Sequence, residues 1–166
     1  MLNIIIGNAL CFVGMATDSI SASRKTPRAM LIMQSVGQVV YAVSSLFLGA
    51  YSAAVQNAVN ITRNTIAIQN RQSRAIEWAL IAFGLVFGLI FNNLGILGLV
   101  PVLASLQYSL TVLFLKHNAQ ALRLSFAVAM LCYTVFNAFI WNIGGVIANV
   151  VVLVSTISSY LKERKQ

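Results

Sequence analysis

In the stretch "QNAVNITRN", Asn60 stands four residues from Gln56, three from Arg63 and four from Asn64. On a helix such steps put side chains on one face, and Asn57 lies at its edge. The rest of the run Tyr51–Gln69 is largely apolar. Amides in apolar surroundings must find hydrogen-bond partners, because lipid supplies none. Their chemistry is recognition: they bond hydroxyls or ring amides of a polar solute, or they bond one helix to another. So many polar groups on one run favour a cavity lining, with interhelical bonding as the competing role.

Catalysis finds little support in the same inventory. The single histidine, His117, sits beside Lys116 in a basic segment. No His/Cys/Asp cluster has the spacing of metal ligands. His117 and Asp18 cannot share one depth to build a Ser-His-Asp set. The reading is no enzyme, no metal and no cofactor. Cys11 and Cys132 both fall in apolar runs and read as small buried hydrophobes, not a disulfide framework.

The elements that must position these groups follow from composition. Of 166 residues, 59% are hydrophobic and 8% charged, with mean hydropathy +0.85. Soluble domains carry about 25% charged residues, so this is a membrane protein. A helix crosses a bilayer with roughly 17–25 residues. The apolar runs predict seven helical spans: Ile4–Ser21, Ala29–Leu48, Tyr51–Gln69, Ile76–Phe91, Leu94–Leu115, Leu124–Trp141 and Gly144–Leu161. The runs are continuous, not alternating, which favours helices over barrel strands. No basic residue precedes the first apolar core, so it reads as a retained helix and not a signal peptide.

All 11 basic residues cluster in alternate segments. Arg24, Lys25 and Arg28 follow span one; Arg63, Arg71 and Arg74 end or follow span three; Lys116 and Arg123 separate spans five and six; Lys162, Arg164 and Lys165 follow span seven. Lys and Arg mark the cytoplasmic side, which places the N-terminus in the periplasm and the C-terminus in the cytoplasm. The net charge of +8 is then explained by topology and anionic headgroups, with no call for nucleic acid.

Spans one to three and five to seven share one outline: span, basic loop, span, tight turn, span. "VYAVSSLFLGA" matches "CYTVFNAFIWN" with Tyr41 against Tyr133. Span four is unmatched and restores the orientation of the second triplet. The expected fold is all-α with a parallel 3+1+3 repeat. It divides into a first three-helix bundle (1–69), a linker with span four (70–93) and a second bundle with a basic tail (94–166).

Asp18 reads as the only carboxylate inside a span, about 7–8 Å from the cytoplasmic end at 1.5 Å per residue. Arg63 lies at a similar depth. A lone charge at mid-membrane costs about 2.5–3.5 kcal/mol on insertion scales, and pairing would relieve it. An Asp18–Arg63 pair is expected as a gate or clasp; snorkelling of Arg63 is the competing role. The substrate-binding candidates are Gln56, Asn57, Asn60, Gln107 and Asn149, with Tyr41 and Tyr133 as aromatic walls. Gln34 and Gln38 share a face of span two. Trp141 and Tyr51 read as interface anchors.

The layout, "LFLGAYSAAVQNAVNITRNTIAIQNR" and "FIWNIGG" together resemble the YgjV-type bacterial inner-membrane proteins. Leu48, Gly49, Tyr51, Asn60 and Arg63 carry the likeness in the first triplet, Gly144 and Gly145 in the second. That family is similar in plan to the SWEET and PQ-loop transporters and to the nicotinamide riboside carriers. The resemblance implies a SWEET-like fold in the bacterial inner membrane. The chain departs from the PQ-loop pattern: its prolines, Pro27 and Pro101, form no Pro-Gln pair.

The expected function is a carrier or facilitator for a small polar metabolite, sugar- or nucleoside-like, with the lipid bilayer as its other partner and a homo-oligomer left open. The alternative is a non-transporting membrane subunit whose polar residues hold helices together. A membrane enzyme ranks third.

Overall fold

The computed structural model describes residues 2–71 and 73–164, with only the backbone of Arg164. Lys165 of the basic tail lies outside the described residues. The described chain forms seven α-helices: α1 (Leu2–Ala22), α2 (Pro27–Phe47), α3 (Tyr51–Ile68), α4 (Arg74–Ile90), α5 (Leu99–Leu115), α6 (Ala119–Phe139) and α7 (Ile143–Arg164). A short 3₁₀ turn, Gly95–Gly98, precedes α5.

Five stretches are long and apolar enough to cross a membrane: α1, α2, Gly95–Leu115, α6 and Ile143–Glu163. The 18-residue α3 falls short because of its amides and Arg63, and α4 because it has only 17 residues. The surface is apolar and much of the interior polar. Ile5, Val36, Phe83, Leu103, Leu131 and Val151 are exposed, while Asp18, Gln34, Arg63, Glu77 and Arg123 are buried. That inversion of the soluble pattern suits a protein whose solvent is hydrocarbon.

Local chemistry sets the ends. Thr26, Ser73 and Asn118 cap α2, α4 and α6 by accepting from the backbone N–H of Ala29, Ile76 and Ala121. Pro27 opens α2, where its missing N–H leaves nothing unpaired. These caps start α2, α4 and α6 two to five residues before the apolar runs begin. The 3₁₀ turn starts α5 later than Leu94, since Asn92 bonds Gly95 O and the Leu94 N–H and bends the chain first.

The turns after α2 and α6 are built alike. Gly49 (φ 68°) and Trp141 (φ 57°) take the left-handed conformation. The following N–H groups of Ala50 and Asn142 reach back to Ser45 O and Asn137 O, each at 2.9 Å. This is the Schellman ending, usually served by glycine. Trp141 adopts it with its side chain 81% exposed, as an interface anchor would be.

α1 packs on α2 and α7; α3 packs on α2, α4 and α5; α6 packs on α5 and α7. The helices therefore close a ring in chain order, with α4 set against the α3–α5 seam. Towards the basic loops the interior is an apolar plug of Met30, Leu31, Tyr108, Val112, Leu122, Phe126, Met130 and Val152. Towards the α2–α3 and α6–α7 turns it is only a small cluster of Ala50, Ala53 and Phe136.

Candidate functional site

Above the plug lies a cavity of about 50 Å³, bordered by α1, α2, α3, α6 and α7. It extends from Leu48, Ala50, Ile140 and Asn142 near the turns to Asp18, Gln38, Asn57, Tyr133 and Asn149 deeper in. A water needs about 10–15 Å³ on this scale. The cavity thus has room for a few waters, and a larger solute requires the helices to part.

Its lining recurs at one constant spacing along the chain. Gln38 corresponds to Met130, Tyr41 to Tyr133, Ser45 to Asn137, Leu48 to Ile140, Ala50 to Asn142 and Asn57 to Asn149, and every one of these residues lines the cavity. Cys11 and Asp18, from α1, have no lining counterpart in α5.

Asp18 is fully buried. Gly37 lets it come close to α2: a Cβ added there would stand 2.7 Å from Asp18 Oδ1. Gly14 does the same for the ring of Tyr41. Neither carboxylate oxygen of Asp18 has a hydrogen-bond partner among the described residues. The same holds for Gln38 Oε1, the hydroxyls of Tyr41 and Tyr133, and Asn149 Nδ2. Leaving one such group buried and unbonded costs about 1–3 kcal/mol, so a cluster of them around a cavity calls for water or another polar partner there.

A second polar centre lies in the α3–α5 seam. Arg63 is 1% exposed. Its Nη1 donates to Asn60 Oδ1 (3.0 Å) and Ser109 Oγ (2.7 Å), and its Nη2 donates to Asn64 Oδ1 (2.9 Å). The Tyr108 ring lies 4.8 Å from the guanidinium carbon, and its hydroxyl donates to Gln34 Oε1. Ser105 donates to Asn60 Oδ1 at 2.7 Å, and Gln56 Nε2 donates to Gly84 O on α4 at 2.7 Å.

The structure therefore splits the strip that opened the sequence reading. Asn57 faces the cavity with Asp18, Tyr41, Tyr133 and Asn149. Gln56, Asn60 and Arg63 bond α3 to α4 and α5. Gln107 is in neither group and donates to Ser125 on α6. The expected Asp18–Arg63 pair does not form: Arg63 turns to α5, whereas Asp18 packs against α2. Matching depth fixes only one coordinate of a side chain; the direction in which it leaves its helix decides the partner.

A family model of bacterial inner membrane proteins, Imp-YgjV, matches residues 5–166. The chain belongs to that family. No curated protein and no solved structure matches it.

Within this Imp-YgjV chain two groups escaped the sequence reading. Glu77, in the first turn of α4, is fully buried, so Asp18 is not alone; its place at the start of an apolar run was the available signal. Arg123 is fully buried as well, in an ion pair with Glu163. No three His, Cys, Asp or Glu side chains come together among the described residues.

Proposed function

We propose that the protein is a carrier or facilitator for a small polar metabolite, with the cavity between its two helix triplets as the solute site. The observation that carries this reading is the cavity's wall: unbonded polar atoms and three aromatic rings, buried between thick apolar packing on one side and thin packing on the other. A route for a polar solute needs such a binding site near mid-membrane, with closures that can open in turn.

The constant spacing of the lining residues supports a parallel 3+1+3 repeat. So does the packing: exchanging α1, α2 and α3 for α5, α6 and α7 turns the α1–α7 contact into the α3–α5 contact. In this reading α3 and α4 also span the membrane, α3 hiding its amides in the seam and α4 needing little more than its 17 residues. The basic segments then face the cytoplasm and the thin closure faces the periplasm. Sugars, nucleosides and similar small metabolites match a wall of amides, hydroxyls and rings. The protein performs no covalent chemistry in this account.

A non-transporting subunit is favoured by one observation only, that Gln56, Asn60 and Arg63 are engaged with protein partners. Solute flux separates the two. Purified protein in liposomes should pass at least one solute from a panel of polyols, pentoses and small amines faster than protein-free vesicles. Asn57→Leu with Asn149→Leu should reduce that flux. Flux equal to that of empty vesicles for the whole panel would leave the subunit reading.

A further inference from the structure

Asp18 is the one carboxyl group in the cavity wall, and it has no hydrogen-bond partner or counter-charge among the described residues. None of the lining residues is basic. Arg63, on the neighbouring α3, is committed to Asn60, Asn64 and Ser109. Beside Asp18, Gln38 presents an unbonded carbonyl oxygen, and the hydroxyls of Tyr41 and Tyr133 are unbonded. On α7, Asn149 offers an unbonded N–H. Asp18 and Gln38 thus set a carboxyl group and a carbonyl oxygen on the α1–α2 side, and Asn149 sets an N–H on α7.

We propose that the cavity binds a small organic ammonium carrying a hydroxyl or carbonyl oxygen. The ammonium donates to Asp18 and to Gln38 Oε1. The rings of Tyr41 and Tyr133 flank it, where a cation gains from an aromatic face. The oxygen of the solute accepts from Asn149. A buried carboxylate is costly without a counter-charge, and an ammonium supplies the positive charge that no lining residue offers. The asymmetry of the repeat fits this one-sided demand: Met130 stands where Gln38 has its counterpart, and α5 contributes no carboxylate. This inference rests on the carrier reading and sharpens its substrate class.

The test uses the full chain in detergent or nanodiscs and compares ethanolamine with ethylene glycol, its neutral isostere, at matched ionic strength. Ethanolamine should raise the melting temperature saturably, and ethylene glycol should not. Asp18→Asn should weaken ethanolamine binding roughly ten- to a hundredfold, the factor of one charge-assisted hydrogen bond. Gln38→Met should weaken it several-fold, and it decides the matter if Asp18→Asn does not fold. Equal effects of ethanolamine and ethylene glycol, or an ethanolamine effect untouched by both substitutions, overturn the proposal. An Asp18-dependent shift produced by sodium chloride alone also overturns it, in favour of an inorganic cation. Vesicle flux keeps the two readings apart: ethanolamine binding without flux of any solute removes the carrier and spares the site, whereas flux of neutral polyols without ethanolamine binding removes the ammonium and spares the carrier.

Discussion

Arg123 and Glu163 form a two-pronged ion pair that joins α6 to α7 at the basic end of the bundle. Both terminal nitrogens of the guanidinium engage the carboxylate, Nη2 meeting Oε1 at 2.7 Å. The same guanidinium donates to Ala22 O and Arg24 O, where α1 ends. One side chain thereby ties three helices together beneath the apolar plug. Glu163→Gln should lower stability by about 2–3 kcal/mol. The figure is below the 3–5 kcal/mol of a fully buried pair because Glu163 keeps 30% exposure. Replacing both partners with leucine should recover most of the loss. A double-mutant cycle on melting of the purified protein checks this; additive losses would mean that the pair contributes nothing of its own.

Asp18 and Arg63 should behave independently. Arg63→Met strands Asn64 Oδ1 and Ser109, leaves Asn60 with Ser105 alone, and should cost about 3 kcal/mol. Asp18→Asn should be neutral or stabilising in the absence of solute, since it relieves a desolvated charge. The coupling between the two changes should stay under about 0.5 kcal/mol. A coupling several times larger in thermal or chemical unfolding would restore a direct pair.

Neighbouring amides on α3 should part company. Asn60→Ala removes the acceptor shared by Arg63 and Ser105 and should destabilise by about 2–3 kcal/mol. Asn57→Ala, on the cavity wall, should change stability by less than about 1 kcal/mol, because the space beside it can take water. Melting curves of both variants decide it, and the reverse order would mean that the strip is turned the other way.

Cysteines placed by topology provide a fourth test, in a background with Cys11 and Cys132 replaced. Single cysteines at Asn93 and Trp141, both exposed, should react with an impermeant maleimide added outside intact cells. A cysteine at His117 should react only after the cells are opened. Asn142, at the same turn, is 3% exposed and would be a poor probe, and Gln72 lies outside the described residues. Inverted labelling would reverse the periplasmic placement of the thin closure.

Much of the helix layout was readable because hydrocarbon imposes a simple rule: continuous apolar runs, interrupted by charge. The spacing of Tyr41 and Tyr133 recurs in Asn57 and Asn149 of the cavity wall, beyond the turn where the sequence alone showed no steady register. What escaped was orientation around the helix axis. Gln56, Asn57 and Asn60 lie within one turn or so, yet they face different neighbours, and nothing in that short stretch says which neighbour stands where. Arg123 shows the other limit. It reads as a topological marker in a basic loop because Glu163 is 40 positions away, and only the packing of α6 on α7 brings them together.

Cys11 has a consequence for experiment. Its thiol is 2% exposed, lies 3.3 Å from Ser44 Oγ and borders the cavity. While the helices stay closed it is shielded from reagents; once they part towards the turns it is not. On the carrier reading, and with Cys132 replaced, the rate at which that thiol is alkylated is a clock for opening.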